Sequence, residues 1–224
     1  MSRPHRRWVP WAIYHLTMRG NNRQSIFLDG SDYQQYLLEL RQCRDVQPFR
    51  LLAFALMPNH VHLVMEAVGD SPLSDVMHRV ATGYTRYFNS RHGRVGHLYQ
   101  GRFYSNFVGE ESYLLEVTRY VHLNPARACL APEPRAYLWS SYRYYVGFDA
   151  DPLNLVEPGR ILSLFGSTPA EAQWHYRAFV EVRAQEEGAL RLWLQELHRR
   201  QLIPPARWLR PVPGALCYPQ IRRD

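Results

Sequence analysis

The chain has 224 residues, of which 46% are hydrophobic, so it can form one domain with an appendage or two small domains and is not a wholly disordered chain. The formal net charge is +7, and all 27 basic residues are arginine. Because lysine is absent, lysine nucleophiles and Walker-type phosphate-binding loops are excluded, whereas arginine can bind phosphate through two parallel hydrogen bonds.

Neither a membrane segment nor a secretion signal is expected. No apolar run approaches the about 20 residues that cross a bilayer, and the basic start of the chain lacks a long apolar segment and a small-residue cleavage site. Cys43, Cys129 and Cys217 are scattered, odd in number and without zinc-site spacing. They suit reduced thiols, so we expect a cytoplasmic protein without a membrane partner.

Hydrophobic periodicity and turn residues predict alternating strands and helices over residues 9–128. In chain order these are a strand at 9–18, a loop at 19–24, a helix from a cap at Ser31 or Asp32 to about 46, a buried strand at 49–56, a tight turn at 57–59, a strand at 60–67, a helix from Pro72 to about 89 with Ser71 as its cap, a strand at 97–108, and a helix from Glu110 to about 128. The order β-α-β-β-α-β followed by a helix predicts an α+β, ferredoxin-like fold, with an antiparallel sheet and helices on one face.

The sequence changes character after about residue 133, where turn residues and aromatics accumulate. Two or three helices are expected between residues 158 and 201, and the proline-rich end predicts an extended tail. We therefore expect two domains, with the sheet in residues 1–147 and a helical C-terminal extension in residues 148–224.

The segment MPNHVHLVM at residues 57–65 contains two histidines two positions apart. On a strand, His60 and His62 point to the same face, as a metal-binding pair would require. The alternative is that both are partly buried structural histidines. Glu66 has the same parity and could serve as an additional ligand.

The predicted helix at 110–128 could complete such a site. Tyr120 and Asn124 are four residues apart, so a helix places them on one face. An amide oxygen can join two imidazoles around a divalent metal, and a phenol beside a metal-bound phosphate can act as a nucleophile. Pro125 disfavours helical geometry at Asn124, and Tyr120 could instead be an ordinary half-buried tyrosine. His122 lies off this face and is interpreted as structural.

The charge distribution favours a nucleic-acid surface. No acidic residue occurs between Asp75 and Glu110, although five arginines do, and aromatic residues are interspersed with them. Single-stranded nucleic acid is bound by positive charge at its backbone and by rings that stack on its bases. The alternative is an aromatic core beneath a solvated basic face. The candidate DNA-binding residues are Arg19, Arg23, Arg86, Arg91, Arg94 and Arg102.

Four motifs, YHLTMRGNNR, LMPNHVHLV, GHLYQGRFYS and RYVHLNPARA, occur in this order within roughly residues 8–147. Together they resemble the single-tyrosine HUH transposases, and among these the REP-associated tyrosine transposases. The resemblance implies that His60 and His62 bind Mg²⁺ or Mn²⁺, that Asn124 supplies a third ligand, and that Tyr120 is the catalytic nucleophile.

The same resemblance implies a reaction and a setting. The enzyme would cleave and rejoin single-stranded, hairpin-forming REP-like DNA through a 5′-phosphotyrosine intermediate, leaving a free 3′-hydroxyl. It would be a bacterial, nucleoid-associated protein, either a monomer or a homodimer.

Two other functions stay open on the sequence alone. A metal phosphodiesterase would use water as its nucleophile, with Tyr120 in a structural role. A domesticated DNA-binding module would keep the fold without turnover. A covalent protein–DNA adduct distinguishes a single-tyrosine transposase from both of these alternatives.

Overall fold

The computed structural model describes residues 9–181; the helices predicted beyond residue 181 and the predicted tail lie outside this range. Its elements are β1 (Ile13–Arg19), α1 (Gly30–Val46), β2 (Phe49–Met57), β3 (His60–Ala67), α2 (Leu73–Arg91), β4 (Tyr104–Val108), α3 (Glu111–Arg127), α4 (Tyr142–Tyr145), α5 (Gly159–Leu162) and α6 (Pro169–Glu181), with 3-10 turns at Asn21–Arg23 and Pro134–Ala136. None of the helices in this range is long and apolar enough to cross a membrane.

The four strands form one antiparallel sheet in the order β2-β3-β1-β4. β2 and β3 are joined by the two-residue loop formed by Pro58 and Asn59, which is a hairpin connection. β1 lies between β3 and β4, so that Thr17 is opposite His62 on one side and opposite Tyr104 on the other. This order of elements and strands confirms the predicted ferredoxin-like α+β fold.

Two predicted strands are shorter than the sequence indicated. β1 begins at Ile13 rather than at residue 9, because Trp11 has a φ of 63°, which interrupts extended backbone. β4 begins at Tyr104 rather than at residue 97. The preceding segment pairs with the sheet only through an isolated bridge between Tyr99 and Gly20.

The predicted helix caps are also wrong. The carboxylate of Asp29 accepts hydrogen bonds from the backbone N–H groups of Ser31 and Asp32, so Asp29 caps α1. Pro72, rather than Ser71, is the cap residue of α2, with an extended backbone and no side-chain hydrogen bond to the helix.

Contacts between residues divide the described chain into two compact units. Unit one contains residues 9–52, 56–109 and 152–156, and unit two contains residues 53–55, 110–151 and 157–181. The predicted domain boundary between residues 147 and 148 stays a prediction.

Aromatic side chains of α1 and α2 form part of the core of unit one. Tyr36 and Tyr84 are fully buried, and their ring centroids lie 5.1 Å apart. Phe27 packs against both rings. The Tyr84 hydroxyl donates a hydrogen bond to the Ile26 carbonyl at 2.5 Å. Some aromatics of the acid-free stretch are therefore core residues.

Unit two contains a buried polar network around His122 of α3. The Tyr176 hydroxyl lies 2.7 Å from Nδ1 of His122, and the Ser141 hydroxyl lies 2.8 Å from Nε2. Ser141 also accepts from the backbone N–H of Phe54 at 2.9 Å and donates to its carbonyl at 3.3 Å. A neutral imidazole with its proton on Nε2 satisfies every group in this network, which confirms the structural interpretation of His122.

Candidate active site

The register of β1 and β3 places three histidines on one face of the sheet. Residues directly opposite each other in an antiparallel pair share a face, and His60 is opposite Arg19 while His62 is opposite Thr17. His15 lies two residues before Thr17 and therefore shares this face. The ring centroids of His60 and His62 are 4.9 Å apart, and those of His15 and His62 are 5.2 Å apart.

Both histidines of the HVH segment form hydrogen bonds through Nδ1. Nδ1 of His60 lies 2.6 Å from Oδ1 of Asn59. Nδ1 of His62 lies 3.0 Å from Nε2 of His15, with the Thr17 hydroxyl farther away at 3.4 Å. Sequence reasoning assigned Asn59 only to a turn and gave His15 no role beside the metal, because their proximity depends on the register between β1 and β3.

Burial keeps these imidazoles neutral at pH 7. Desolvation lowers the pKa of His15 and of His60 to about 4, and the positive charge of Arg19 adds to the effect on His60. Desolvation, and next the neighbouring His15 and His60, hold the pKa of His62 well below its ordinary value of 6.5. A neutral imidazole is the form that binds a metal.

His60 and His62 are nitrogen donors of the kind that a divalent metal such as Mn²⁺ accepts. Within residues 9–181, no three His, Cys, Asp or Glu side chains form a group that could hold a metal, and the amide of Asn124 stays the predicted third ligand. Glu66, the suggested additional ligand, is buried and its carboxylate lies 3.3 Å from the Arg50 guanidinium. That ion pair gives Glu66 a structural explanation.

Tyr120 and Asn124 lie on α3 in unit two, one helical turn apart. The helix continues through Pro125, and the carbonyl of Asn124 accepts the backbone N–H of Ala128 at 2.9 Å, so Asn124 is helical despite the proline. The side chain of Tyr120 is 39% exposed, and Asn124 is half-buried. Helical spacing therefore places both on one face, as predicted. Their roles with the histidines of unit one stay predictions.

The predicted DNA-binding arginines differ in their surroundings. Five of them are exposed: Arg19, Arg23, Arg86, Arg91 and Arg102. Arg94 donates to the Gln24 side chain at 3.1 Å and lies over the Phe88 ring. Arg91 donates to both Asp29 and Asp32, and this guanidinium lowers the pKa of Asp29 to about 2. These contacts favour a structural role for Arg91.

The aromatic residues between Asp75 and Glu110 also divide into buried and exposed side chains. Phe88 and Phe103 are buried, whereas Tyr104 and Phe107 on the edge strand β4 are 65% and 57% exposed. Tyr104 is opposite Thr17 and therefore lies on the histidine face, while Phe107 is opposite Tyr14 on the other face. Tyr104 is thus an exposed ring beside the histidines.

Comparison with known proteins finds a family that matches the part of the chain containing these residues. A family model described as "Transposase IS200 like" matches residues 9–124, a range that contains both histidines, Tyr120 and Asn124. A solved REP-associated tyrosine transposase bound to a REP hairpin has a TM-score of 0.58 at 19% identity, covering 70% of this chain and 92% of that one. A protein named as a transposase, from Deinococcus radiodurans R1, has a TM-score of 0.39 at 20% identity, covering 54% of this chain and 95% of that one. No curated protein matches the chain.

Proposed function

The chain belongs to the IS200-like transposase family, and from this premise we propose that it is a metal-dependent, single-tyrosine DNA endonuclease and strand transferase of the REP-associated type. The observation that carries the proposal is the pair of imidazoles, His60 and His62, on one face of the sheet, each hydrogen-bonded through Nδ1. A shared face is what two ligands of one metal ion require.

In this proposal His60, His62 and Asn124 hold Mg²⁺ or Mn²⁺. The ion, when bound, offsets the negative charge that develops on the scissile phosphate. Because burial keeps the imidazoles unprotonated at neutral pH, no proton competes for the ligand nitrogens.

Tyr120 is proposed as the nucleophile. Its phenolic oxygen attacks the phosphorus and loses its proton to solvent; the bond from phosphorus to the 3′ oxygen breaks, and that oxygen takes up a proton. The products are a 5′-phosphotyrosine and a free 3′-hydroxyl. A 3′-hydroxyl can later attack the phosphotyrosine and release Tyr120, so rejoining needs no nucleotide cofactor. The 39% exposure of Tyr120 suits a group that must reach DNA.

The substrate is proposed to be single-stranded where it is cut and folded into a hairpin beside the cut. Exposed Arg19 shares the face of the histidines and can contact phosphate, and exposed Tyr104 can stack on a base. The transposase of similar fold binds a REP hairpin, so imperfect palindromes are the first substrates to test.

Incubation with end-labelled hairpin oligonucleotides, with and without Mn²⁺, tests the proposal on a denaturing gel. The expected result is Mn²⁺-dependent cleavage in which the fragment that carries the new 5′ end migrates with the protein. Cleavage with both fragments free would support a water-using phosphodiesterase. Binding without cleavage would support a DNA-binding module, and either result would overturn the tyrosine mechanism.

A further inference from the structure

The hydrogen bond from His60 to Asn59 has a defined direction. The Asn59 amide nitrogen donates to the carbonyl of Arg23 at 3.1 Å, which fixes the amide so that Oδ1 faces the His60 ring at 2.6 Å. An amide oxygen only accepts, so Nδ1 of His60 must carry the proton. The second ring nitrogen, Nε2, is then a lone-pair donor suited to a metal.

The hydrogen bond between His62 and His15 permits the same arrangement. The two rings are within 20° of parallel, but their centroids are 5.2 Å apart while the two nitrogens are 3.0 Å apart. The rings therefore meet edge to edge, as a hydrogen bond in the ring plane requires, rather than face to face. With both imidazoles neutral, one nitrogen donates and the other accepts, and His15 can accept through Nε2 when its own proton is on Nδ1.

We propose that Asn59 and His15 are positioning residues that hold the proton of His60 and His62 on Nδ1, so that Nε2 of each is the metal-binding nitrogen. This inference rests on the proposed metal site of these two histidines. Metal-binding histidines gain orientation and basicity from a hydrogen bond at the other nitrogen, and loss of that partner typically costs 10- to 100-fold in metal affinity. Here the acceptors are an amide oxygen and a neutral imidazole.

For Asn59, the competing explanation is a role in the β2–β3 turn alone. Asn59→Asp keeps an oxygen acceptor for His60 but loses the donor to the Arg23 carbonyl, whereas Asn59→Ala loses both. Positioning predicts that Ala weakens Mn²⁺ binding about 10- to 100-fold while Asp binds at least as tightly as wild type. A role in the turn alone predicts that both variants behave alike.

For His15, the competing explanation is that it only fills the core. His15→Gln places an amide oxygen about where Nε2 of the imidazole lies and keeps an acceptor, whereas His15→Leu has similar bulk without one. Positioning predicts that Leu weakens Mn²⁺ binding about 10- to 100-fold and that Gln restores most of it. Equal affinities of the two variants would overturn the role of His15.

Two measurements decide the matter without relying on activity. The electron paramagnetic resonance signal of free Mn²⁺ gives the affinity of wild type and the four variants. Long-range ¹H–¹⁵N correlation spectra of the wild-type protein identify which nitrogen of His60 and of His62 carries the proton, and this reading does not depend on any variant folding. The expected tautomer is Nδ1–H for both.

The outcomes separate this inference from the proposed function. Wild type that binds no Mn²⁺ would overturn the proposed metal site and the inference with it. Wild type that binds Mn²⁺ with protons on Nε2, or with affinity unchanged in Asn59→Ala and His15→Leu, would overturn the inference alone.

Discussion

Lowering the pH from 7 to 5 should destabilise the protein through His122. Burial lowers the pKa of this histidine to about 3, against 6.5 in the unfolded chain. As the pH falls below 6.5, the unfolded state binds a proton that the folded state does not, so the stability present above pH 6.5 is lost progressively down to about pH 3. Between pH 7 and pH 5 the loss from this one group is about 2 kcal/mol of the free energy of unfolding.

Urea denaturation at the two pH values, followed by circular dichroism, measures this loss. Since other buried histidines titrate in the same range, the decisive quantity is the difference between wild type and His122→Gln, which should lose about 2 kcal/mol less on going to pH 5. The matched control is Tyr176→Phe, which removes the partner of Nδ1 and should cost about 1 to 3 kcal/mol at pH 7 while keeping the wild-type pH dependence. An unchanged pH dependence in His122→Gln would refute the reasoning.

Three further outcomes follow from the account. His60→Ala should lose Mn²⁺ binding, measured by paramagnetic resonance, together with DNA cleavage; a variant that retains both would remove the metal assignment. Tyr104→Leu should weaken binding of a single-stranded oligonucleotide about tenfold by loss of stacking, whereas Phe107→Leu, on the opposite face of the same strand, should not; equal effects would place the bases elsewhere. Replacing Arg86 and Arg102 by glutamine should make the slope of log binding constant against log salt concentration shallower by about 0.7 per residue. Fluorescence anisotropy in graded salt measures this slope, and an unchanged slope would show that other residues bind the DNA backbone.

The fold could be predicted because its periodicities are local. The short, mostly apolar run at residues 60–67 predicted a strand, and the MPN turn predicted the hairpin with the preceding strand. The segment at 97–108 misled because its composition suits a strand throughout, while only Tyr104–Val108 pairs along β1. The residues before it meet the chain around Gly20 through the isolated bridge at Tyr99, where the backbone N–H of Asn21 donates to the Leu98 carbonyl at 2.8 Å. That constraint is tertiary and leaves no periodic signal.

Local periodicity predicts some features of the candidate site, whereas others depend on tertiary structure. The shared face of His60 and His62 follows from the period of a strand, and the spacing of Tyr120 and Asn124 follows from the period of a helix. The neighbours of the histidines do not follow from any period, because His15 meets His62 only through the register of two strands 47 residues apart in sequence. Likewise, nothing local indicated that Arg91 binds Asp29 rather than solvent or DNA.

The most direct test of the central claim is the identity of the residue that becomes joined to DNA. After reaction with a hairpin oligonucleotide and Mn²⁺, proteolysis and tandem mass spectrometry should find the phosphodeoxynucleotide on Tyr120. Tyr120→Phe should form no adduct, while Tyr113→Phe, which alters a tyrosine of the same helix with similar exposure (42% against 39%), should form it at the wild-type level. An adduct that survives in Tyr120→Phe, or cleavage by wild type without any adduct, would contradict the account.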